Sequence, residues 1–462
     1  MDKISNFYES IKDKKIAFIG AGVSHKTLIK QFCEHKANVT LCDKKTLDEF
    51  GEYKNELQEL GINLSLGDNY LDGLKNQDII MRTPGFEFFT KELQDALNNG
   101  TKVTSEMELF FELCPCKIIA ITGSDGKTTT TTLISEMLKA QGFTVHLGGN
   151  IGRALLPIVN TIKTSDYAVV ELSSFQLISM KQSPHIAVVT NVTPNHLDHH
   201  KDMQEYIDAK RNILIHQQKP CYTVLGYENK VSRGMQSDVV GELSFFTRHE
   251  KVENGACLND NNVLCLANNG NLTEVVNASK VLLPGVHNIE NILCAISAVK
   301  DLVDIANMKK VATTFTGVEH RIEPVRTLNG VKWFNDSIAS SPTRTIAGLR
   351  SFNQKIIIIA GGYDKKIPYE PLAPEIIEHV KVLVLMGQTG CKIKEAVLNC
   401  NGYKDSGLII LEATDMQDAV NKANKIAEEG DVISLSPASA SFDLYPNFEV
   451  RGRHFKELVN SL

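Results

Sequence analysis

The stretch from residue 117 to residue 133 constrains the fold more than any other part of the chain. It reads KIIAITGSDGKTTTTTL, an apolar β-branched run followed by a turn with two glycines and then a lysine and five threonines. This order predicts a strand, a glycine turn and a helix. Backbone N–H groups of such a turn and the helix amino terminus can bind an anion, Lys127 can pair with phosphate, and the Thr128 hydroxyl can bind Mg²⁺. We therefore predict a phosphate-binding loop, the alternative being an ordinary turn with an incidental Gly-Lys-Thr.

The predicted loop departs from the standard phosphate-loop pattern at its first glycine. That pattern places a glycine at residue 121, but the chain has Ile121 there and its first glycine is Gly123. The residues alone therefore indicate a shortened variant that still binds a nucleotide.

Length and composition limit the classes of protein that need to be considered. A chain of 462 residues is too long for one core and suggests three domains. The net charge of -6 offers no general attraction for nucleic acid or an anionic membrane, so neither partner is expected. The amino terminus, MDKISNFYESIKDKK, lacks the apolar segment of a signal peptide, and no apolar run is long enough for a membrane span. We expect a cytoplasmic protein with its ten cysteines reduced and mostly structural.

The first 105 residues begin with a pattern similar to a Rossmann entry. A strand at 15–20 runs into GAGVSH, and a second strand ends at Asp43. His25 stands where a third glycine would allow close helix packing, so a nucleoside diphosphate attached to another group fits better than a dinucleotide. A third strand stops at Arg82-Thr83-Pro84-Gly85, which is either a ligand-binding turn or a plain one.

The middle of the chain carries candidate metal and base ligands. Glu171 ends an apolar strand, so we predict a Mg²⁺ ligand, although a charge at a helix start is the alternative. The segment NVTPNHLDHH has three histidines, but no cysteine lies near them, which argues against a zinc site. We therefore expect His196 to contact Mg²⁺ or a substrate oxygen, and His199 and His200 to be in solvent. Lys210 lies in a helical pattern over 203–217, where a solvated lysine is the default. The Asn288 and Asn291 amides can face one side of a helix, to read a base or to cap.

The polar, asparagine-rich segment between 240 and 280 predicts antiparallel hairpins. After residue 317, alternating strand and helix patterns predict another mostly parallel sheet. Strands are predicted at 331–335, 355–361, 380–387, 407–412 and 431–435. Hydroxyls, an acid and a lysine follow their ends, which could bind a small charged substrate.

Four motifs carry a resemblance to a known family. ITGSDGKTTT, ELSSFQL at 171–177, NDSIASSPT at 335–343 and LSPASASFDLYPNFEVRGRHF at 435–455 resemble the Mur ligase family over the whole chain. The first motif is shared with folylpolyglutamate synthases and has no glycine at the position of Ile121. The others are similar to the branch that adds D-glutamate.

This resemblance implies an α/β fold of three domains. They are a Rossmann-like domain at 1–105 for a UDP-linked substrate, a central P-loop-type ATPase domain at 106–316, and a C-terminal Rossmann-like parallel sheet at 317–462 for the amino acid. It implies an ATP-dependent amide ligase of peptidoglycan precursor synthesis that joins D-glutamate to UDP-N-acetylmuramoyl-L-alanine through an acyl phosphate. Two Mg²⁺ ions and a monomer are expected.

The resemblance also implies roles for individual residues. Those expected at ATP are Gly123, Ser124, Asp125, Gly126, Lys127, Thr128, Thr129, Asn291, Arg321 and Asp336. The metal residues are Thr128, Glu171, His196 and Lys210, of which Lys210 is carbamylated, and the catalytic residues are Lys127, His196 and Lys210. The UDP-linked substrate is expected at Val23, Ser24, Asp43, Lys45, Thr83, Gly85, Asn150 and His196. D-Glutamate is expected at Ser340, Lys365, Ser441, Phe442 and Phe448.

The chain differs from the family pattern at three positions, where His25 replaces a glycine, Ser340 a threonine and Ile338 a lysine. The alternatives are another Mur-type or folylpolyglutamate-type ligase and, in a different class, a nucleotide-binding regulator without turnover.

Overall fold

The computed structural model describes residues 2–194, 199–283, 285–365 and 367–462, apart from the side chain of Val23. Contacts divide the chain into two compact units, Met1–Phe315 and Thr316–Leu462. Three sheets, mostly of parallel strands, confirm the predicted α/β class.

The first sheet has five parallel strands in the order β3-β2-β1-β4-β5. They are β1 (Lys15–Ile19), β2 (Asn38–Asp43), β3 (Asn63–Leu66), β4 (Ile79–Arg82) and β5 (Lys102–Ser105), with helices α1 (Lys3–Ser10), α2 (Val23–Glu34), α3 (Tyr53–Glu59), α4 (Lys91–Asn98) and α5 (Glu106–Leu113). The strand order reverses between β1 and β4, which is where open α/β sheets bind ligands. Gly20 follows β1 and Thr83 follows β4, so both predicted turns lie at this point.

The second sheet has nine strands in the order β14-β13-β12-β11-β10-β9-β6-β8-β7. They are β6 (Lys117–Thr122), β7 (Val145–Gly149), β8 (Tyr167–Glu171), β9 (Ile186–Val189), β10 (Tyr222–Gly226), β11 (Glu242–Thr247), β12 (Gly255–Leu258), β13 (Val263–Asn268) and β14 (Asn271–Asn277). The helices are α6 (Lys127–Ala140), α7 (Ser174–Leu177), α8 (Met203–Arg211), α9 (Lys230–Gly234), α10 (Val286–Ala298) and α11 (Ile305–Thr314). Only β12, β13 and β14 pair antiparallel, which confirms the hairpins predicted in that region.

The third sheet has six strands in the order β15-β16-β20-β17-β18-β19. They are β15 (Glu323–Leu328), β16 (Val331–Asn335), β17 (Ile356–Ala360), β18 (Val380–Leu385), β19 (Ile409–Glu412) and β20 (Val432–Leu435), with helices α12 (Pro342–Leu349), α13 (Ala373–His379), α14 (Gly390–Leu398), α15 (Met416–Ile426) and α16 (Phe448–Ser461). The five predicted strands are confirmed. The antiparallel edge strand β15 was not predicted, since its polar residues give no clear alternation.

The first and second sheets are joined by one hydrophobic core, which includes Phe18 and Leu41 from one sheet and Ile118 and Val170 from the other. The division at 105/106 therefore stays a prediction about sequence regions within a single compact unit, and the division at 316/317 stays a prediction as well.

One local prediction is wrong in detail, because the helix predicted over 203–217 ends at Arg211. In the first sheet, the glycine turn after β1 leads directly into α2, which begins at Val23. In the second sheet, Gly148 and Gly149 both belong to β7.

All ten cysteines are free thiols in the structure. The sulfur atoms of Cys114 and Cys116 lie 3.5 Å apart. Among the described residues, no helix is both long and apolar enough to cross a membrane.

Candidate active site

The loop between β6 and α6 requires both of its glycines. Gly126 caps α6 with a left-handed φ of 76°, and an added Cβ there would lie 2.2 Å from Asn291 Oδ1. A Cβ on Gly123, whose φ is 153°, would lie 1.8 Å from Thr190 Oγ1. Side chains at either position would collide with neighbouring residues, so the glycine pattern reflects both backbone conformation and close packing.

Residues that follow β9, the strand beside β6, hold the loop in place. Asp125 N donates to Asn191 Oδ1 at 3.0 Å, and Thr190 Oγ1 donates to Asp125 O at 2.6 Å. Ser124 Oγ lies 2.9 Å from the Tyr206 hydroxyl on α8. Sequence reasoning missed Thr190 and Asn191, because only strand order shows that β9 adjoins β6. It also missed Tyr206, because only packing shows that α8 lies against the loop.

Lys127 lies folded over the loop. Its Nζ donates to Gly123 O at 3.1 Å and to Ser124 O at 2.9 Å. The ammonium group is thus held against the carbonyl groups of the loop. Thr129, two residues further along, lies half-buried in the first turn of α6.

The Thr128 hydroxyl and the Glu171 carboxylate form a buried oxygen-rich site. Thr128 Oγ1 donates to Glu171 Oε2 at 2.7 Å, and Asn150 Nδ2 donates to Glu171 Oε1 at 2.8 Å. Glu171 is only 1% exposed and ends β8, beside the loop. Hydroxyl and carboxylate oxygens are the ligands that Mg²⁺ prefers, so these residues fit the expected metal. The alternative of a simple helix-start charge does not explain the contact with Thr128.

Lys210 points from α8 into the same site and is 1% exposed, so the solvated default is wrong. Its Nζ donates to Gly123 O at 2.7 Å and lies 4.6 Å from the centre of the Tyr206 ring. Burial, followed by the nearby charge of Lys127, holds the pKa of Lys210 well below its usual value. Periodicity could not show this, because α8 presents Lys210 to a loop some 85 residues earlier in the chain.

The histidines after β9 differ in their surroundings. His196, expected at the metal and the substrate, lies outside the described residues. His200 is 4% exposed, so its expected position in solvent is wrong. Its ring nitrogens lie 2.9 Å from Ser174 Oγ and 2.9 Å from Glu205 Oε1. His199 is exposed, with its ring edge-on to Phe175.

The two asparagines of α10 meet as their spacing predicts. Asn291 Nδ2 donates to Asn288 Oδ1 at 3.0 Å, and both residues are buried. Asn291 Oδ1 also accepts from Thr130 Oγ1 at 3.4 Å, so this amide lies against the start of α6. The N-cap position of α10 is Gly285, so neither asparagine occupies it.

At the first sheet, Asp43 organises the two turns expected to bind the UDP-linked substrate. Its carboxylate accepts from Ala21 N and from Lys45 N, each at 3.0 Å. His25 is buried, with Nδ1 2.9 Å from Gly20 O, and burial lowers its pKa. Its ring also packs edge-on against Phe18, with centres 5.3 Å apart. Among the other expected residues, Ser24 and Thr83 are half-buried, Gly85 and Asn150 are exposed, and Val23 opens α2.

In the second unit, Asp336 follows β16 and is 4% exposed. Its carboxylate accepts from Ile322 N at 3.2 Å and from Ser436 Oγ at 3.1 Å. Burial raises the pKa of Asp336 to about 7, although nearby positive charges, including that of Arg321, oppose this shift. Arg321 lies between His320 and Ile322, whose φ values of 65° and 44° are unusual for residues other than glycine.

Arg451 of α16 ties together the loops that carry the residues expected at D-glutamate. Its guanidinium donates to Ser337 O at 2.8 Å and to Ala440 O at 3.0 Å. Tyr363 pairs with Ala440 in an isolated antiparallel bridge, and nearby Lys365 Nζ lies 6.0 Å from the Phe442 ring centre. Ser441 is buried, Ser340 and Phe448 are half-buried, and Lys365 and Phe442 are exposed. Sequence reasoning missed Arg451, whose only signal was its place in the last motif.

The described residues expected at ATP and metal in the first unit therefore converge on one loop, and those of the second unit gather around Asp336 and Arg451. Arranged in this way, the first group can hold a nucleotide phosphate beside a divalent cation, and the second group offers cations, hydroxyls and an aromatic ring to a small anion.

Comparisons with known proteins find two family models that match parts of this chain. The family model described as Mur ligase middle domain matches residues 121–299, and the model described as Mur ligase, glutamate ligase domain matches residues 320–439. The crystal structure of UDP-N-acetylmuramate-alanine ligase MurC from Thermotoga maritima shares the fold, with a TM-score of 0.53 and 17% identity over 97% of this chain and 99% of that chain.

Two curated relatives are similar over their full length. UDP-N-acetylmuramoylalanine--D-glutamate ligase of Acetivibrio thermocellus is 51% identical over 462 residues, which are 100% of this chain and 99% of the relative. The protein of the same name from Clostridium botulinum is 48% identical over 458 residues, with 99% of each chain covered. Because this similarity extends over the whole chain and includes both domain models, the chain belongs to the Mur ligase family.

Proposed function

We propose that this protein is an ATP-dependent ligase that joins D-glutamate to UDP-N-acetylmuramoyl-L-alanine in cytoplasmic peptidoglycan precursor synthesis. The observation that carries this proposal is the convergence of Lys127, the Thr128–Glu171 pair and Lys210 on one glycine loop. Full-length similarity to ligases with this specificity in their names supports the choice of substrates.

The proposed reaction proceeds in two steps. The terminal carboxylate of UDP-N-acetylmuramoyl-L-alanine attacks the γ-phosphorus of ATP, which forms an acyl phosphate and releases ADP. The amine of D-glutamate then attacks the acyl carbon, the C–O bond to phosphate breaks, and the amide, inorganic phosphate and a proton are released. Both steps depend on positioning and on stabilisation of negative charge.

The loop residues serve the first step. Lys127 pairs with the β- and γ-phosphates, and the loop N–H groups with Ser124 and Thr129 surround the phosphate chain. Thr128 and Glu171 would hold Mg²⁺, and His196 and Lys210 would complete the ligands of a second ion. Bound Mg²⁺ would neutralise charge that develops on the phosphate oxygens. Asn291, Arg321 and Asp336 are assigned to the remainder of ATP.

Lys210 is proposed to be carbamylated, because only a neutral amine adds CO₂ and its lowered pKa favours the neutral form. The added carboxylate would replace a buried cation beside Lys127 with an oxygen ligand. With ¹³C-bicarbonate, the wild-type protein should show a carbamate carbon resonance that the Lys210→Met variant lacks. An identical spectrum from both proteins would exclude the modification at this residue.

The remaining substrates are assigned to the edges of the first and third sheets. The UDP-linked substrate is assigned to Val23, Ser24, Asp43, Lys45, Thr83 and Gly85, with Asn150 and His196 toward its sugar. D-Glutamate is assigned to Ser340, Lys365, Ser441, Phe442 and Phe448, where the Lys365 ammonium would pair with its side-chain carboxylate. The monomeric state stays a prediction.

The test is ADP release from ATP and Mg²⁺ in the presence of UDP-N-acetylmuramoyl-L-alanine and a panel of amino acids. We expect release that depends on D-glutamate, with the amide product identified by mass. Release with L-glutamate and a folate acceptor instead would indicate a folylpolyglutamate-type ligase. Nucleotide binding without release for any combination would indicate a regulator.

A further inference from the structure

Arg82 is one of the largest fully buried side chains of the protein, and sequence reasoning gave it no role. It ends β4, directly before the Thr83-Pro84-Gly85 turn, and is 1% exposed. Burial lowers its pKa, and the charge of Glu108 partly opposes that shift. A buried guanidinium is costly unless its donors are used, so the partners of Arg82 indicate why it is there.

One part of the guanidinium holds the turn. Nη1 donates to Phe86 O at 3.0 Å and, more weakly, to Thr83 O and Pro84 O at 3.4 Å. These three carbonyls belong to the turn at the reversal point of the first sheet. The planar arrangement of guanidinium donors therefore defines the path of the backbone there.

The other part of the guanidinium contacts the segment that follows strand β8 of the second sheet. Nη2 donates to Phe175 O at 2.9 Å and to Ser179 Oγ at 3.0 Å. Both acceptors lie in the segment after Glu171, so one side chain joins the turn to the segment that follows the metal carboxylate. The two regions belong to the same compact unit.

The contacts continue from Phe175 to α8. The Phe175 ring is stacked on His200, with centres 5.3 Å apart and planes 3° apart. His200 in turn contacts Glu205 Oε1 at 2.9 Å, and Glu205 lies on the helix that carries Lys210. An unbroken series of contacts thus runs from the turn to the lysine beside the phosphate loop.

We propose that Arg82 is a positioning residue for the UDP-linked substrate, which holds the Thr83-Pro84-Gly85 turn at a set distance and orientation relative to Glu171 and Lys210. This inference rests on the proposed function. The substrate must reach from the first sheet to the γ-phosphate, so a shift of the turn would move its carboxylate away from the reacting phosphorus. Misplacement of about 1 Å can lower a rate on the order of 100-fold.

The test compares Arg82→Met, which removes every donor, with Arg82→Lys, which keeps the charge. Calorimetry on the full chain measures the affinities for UDP-N-acetylmuramoyl-L-alanine and, separately, for ATP. We expect Arg82→Met to lower kcat/KM for the UDP-linked substrate on the order of 100-fold and to weaken its binding, with ATP affinity unchanged. Arg82→Lys should be intermediate. Arg326→Met is the matched control, because Arg326 also donates to two backbone carbonyls, those of Val459 and Asn460, in the other unit.

Equal losses for both ligands, or no loss for the UDP-linked substrate, would overturn the inference. If Arg82→Met does not fold, Ser179→Ala decides, because it removes one acceptor of Nη2 and leaves Arg82 in place. A selective loss of affinity for the UDP-linked substrate supports the proposal, and unchanged affinity overturns it. Wild-type protein that binds this substrate but does not turn over with D-glutamate would refute the proposed function, while the comparison of variants would still decide the role of Arg82.

Discussion

At the scale of single residues, burial changes the chemistry of several charged groups around the candidate site. Lys210 and Glu171 are each 1% exposed, and Asp336 is 4% exposed. Burial favours the neutral form of an ionisable group unless an opposite charge or a hydrogen bond stabilises the charged form. Lys210 lies beside another lysine and tends to lose its proton, whereas Asp336 keeps its proton to an unusually high pH.

Lys127→Ala should reduce D-glutamate-dependent ADP release by about 100-fold or more, because one charged donor to the transferring phosphoryl group is lost. Lys139→Ala is the control, since Lys139 lies near the other end of α6 and pairs only with Glu136 among the ion pairs of the described residues. Steady-state rates at saturating ATP measure the effect. Full activity of Lys127→Ala would remove this lysine from the mechanism.

Asp336 should make stability depend on pH. Its folded-state pKa of about 7 lies above the ordinary value of 3.8, so between these values the folded protein holds a proton that the unfolded chain releases. The contribution of Asp336 to the free energy of unfolding is therefore greatest below about pH 4. It falls by roughly 1.4 kcal/mol for each pH unit as the pH rises toward 7. Urea unfolding of wild type and Asp336→Asn at several pH values should show that the variant lacks this loss. Parallel pH profiles would contradict the assignment.

At the scale of elements, the β6 to α6 connection shows how far a sequence pattern can be interpreted. The apolar run, the glycines and the lysine predicted the strand, the turn and the helix, because local conformational preferences decide all three. The pattern could not show that Asn291 Oδ1 occupies the space beside Gly126, since α10 begins some 160 residues later. Residue 126 therefore needs glycine for two reasons, which are its left-handed backbone conformation and the packing of Asn291 against it.

Gly126→Ala and Gly142→Ala separate these two reasons. Both residues have positive φ at an end of α6, at 76° and 99°, so alanine costs about 1–2 kcal/mol of conformational strain at either. An added Cβ meets Asn291 Oδ1 at residue 126 but nothing within 4 Å at residue 142. We expect a similar strain cost in thermal unfolding, a further loss for Gly126→Ala from the collision, and loss of ATP binding only there. ATP binding by Gly126→Ala with wild-type affinity would refute the role of the loop.

At the scale of the whole molecule, the residues assigned to ATP come from both compact units. Asn291 belongs to the first unit, and Arg321 and Asp336 to the second. If all three contact one nucleotide, ATP binding must depend on side chains of both units. Arg321→Met, a change in the second unit, should therefore weaken ATP binding to the whole chain on the order of 10-fold, because one charged donor is lost. Calorimetry measures the affinity, and Arg326→Met, in the same unit but assigned to no ligand, is the control. Wild-type affinity of Arg321→Met would contradict the assignment.

The sequence by itself determined the fold class and most of the strands, and it named most of the candidate residues. Parallel strands buried on both faces, such as β17, are continuous apolar runs, and phosphate turns need particular residue types, so both leave local signals. The tertiary structure decided what those residues meet. Lys210 and His200 looked solvated in the sequence and are buried, and Arg82 joins two regions more than 90 residues apart. Burial and partners depend on strand order and on which helix covers which edge, and these are set by long-range packing that no local pattern contains.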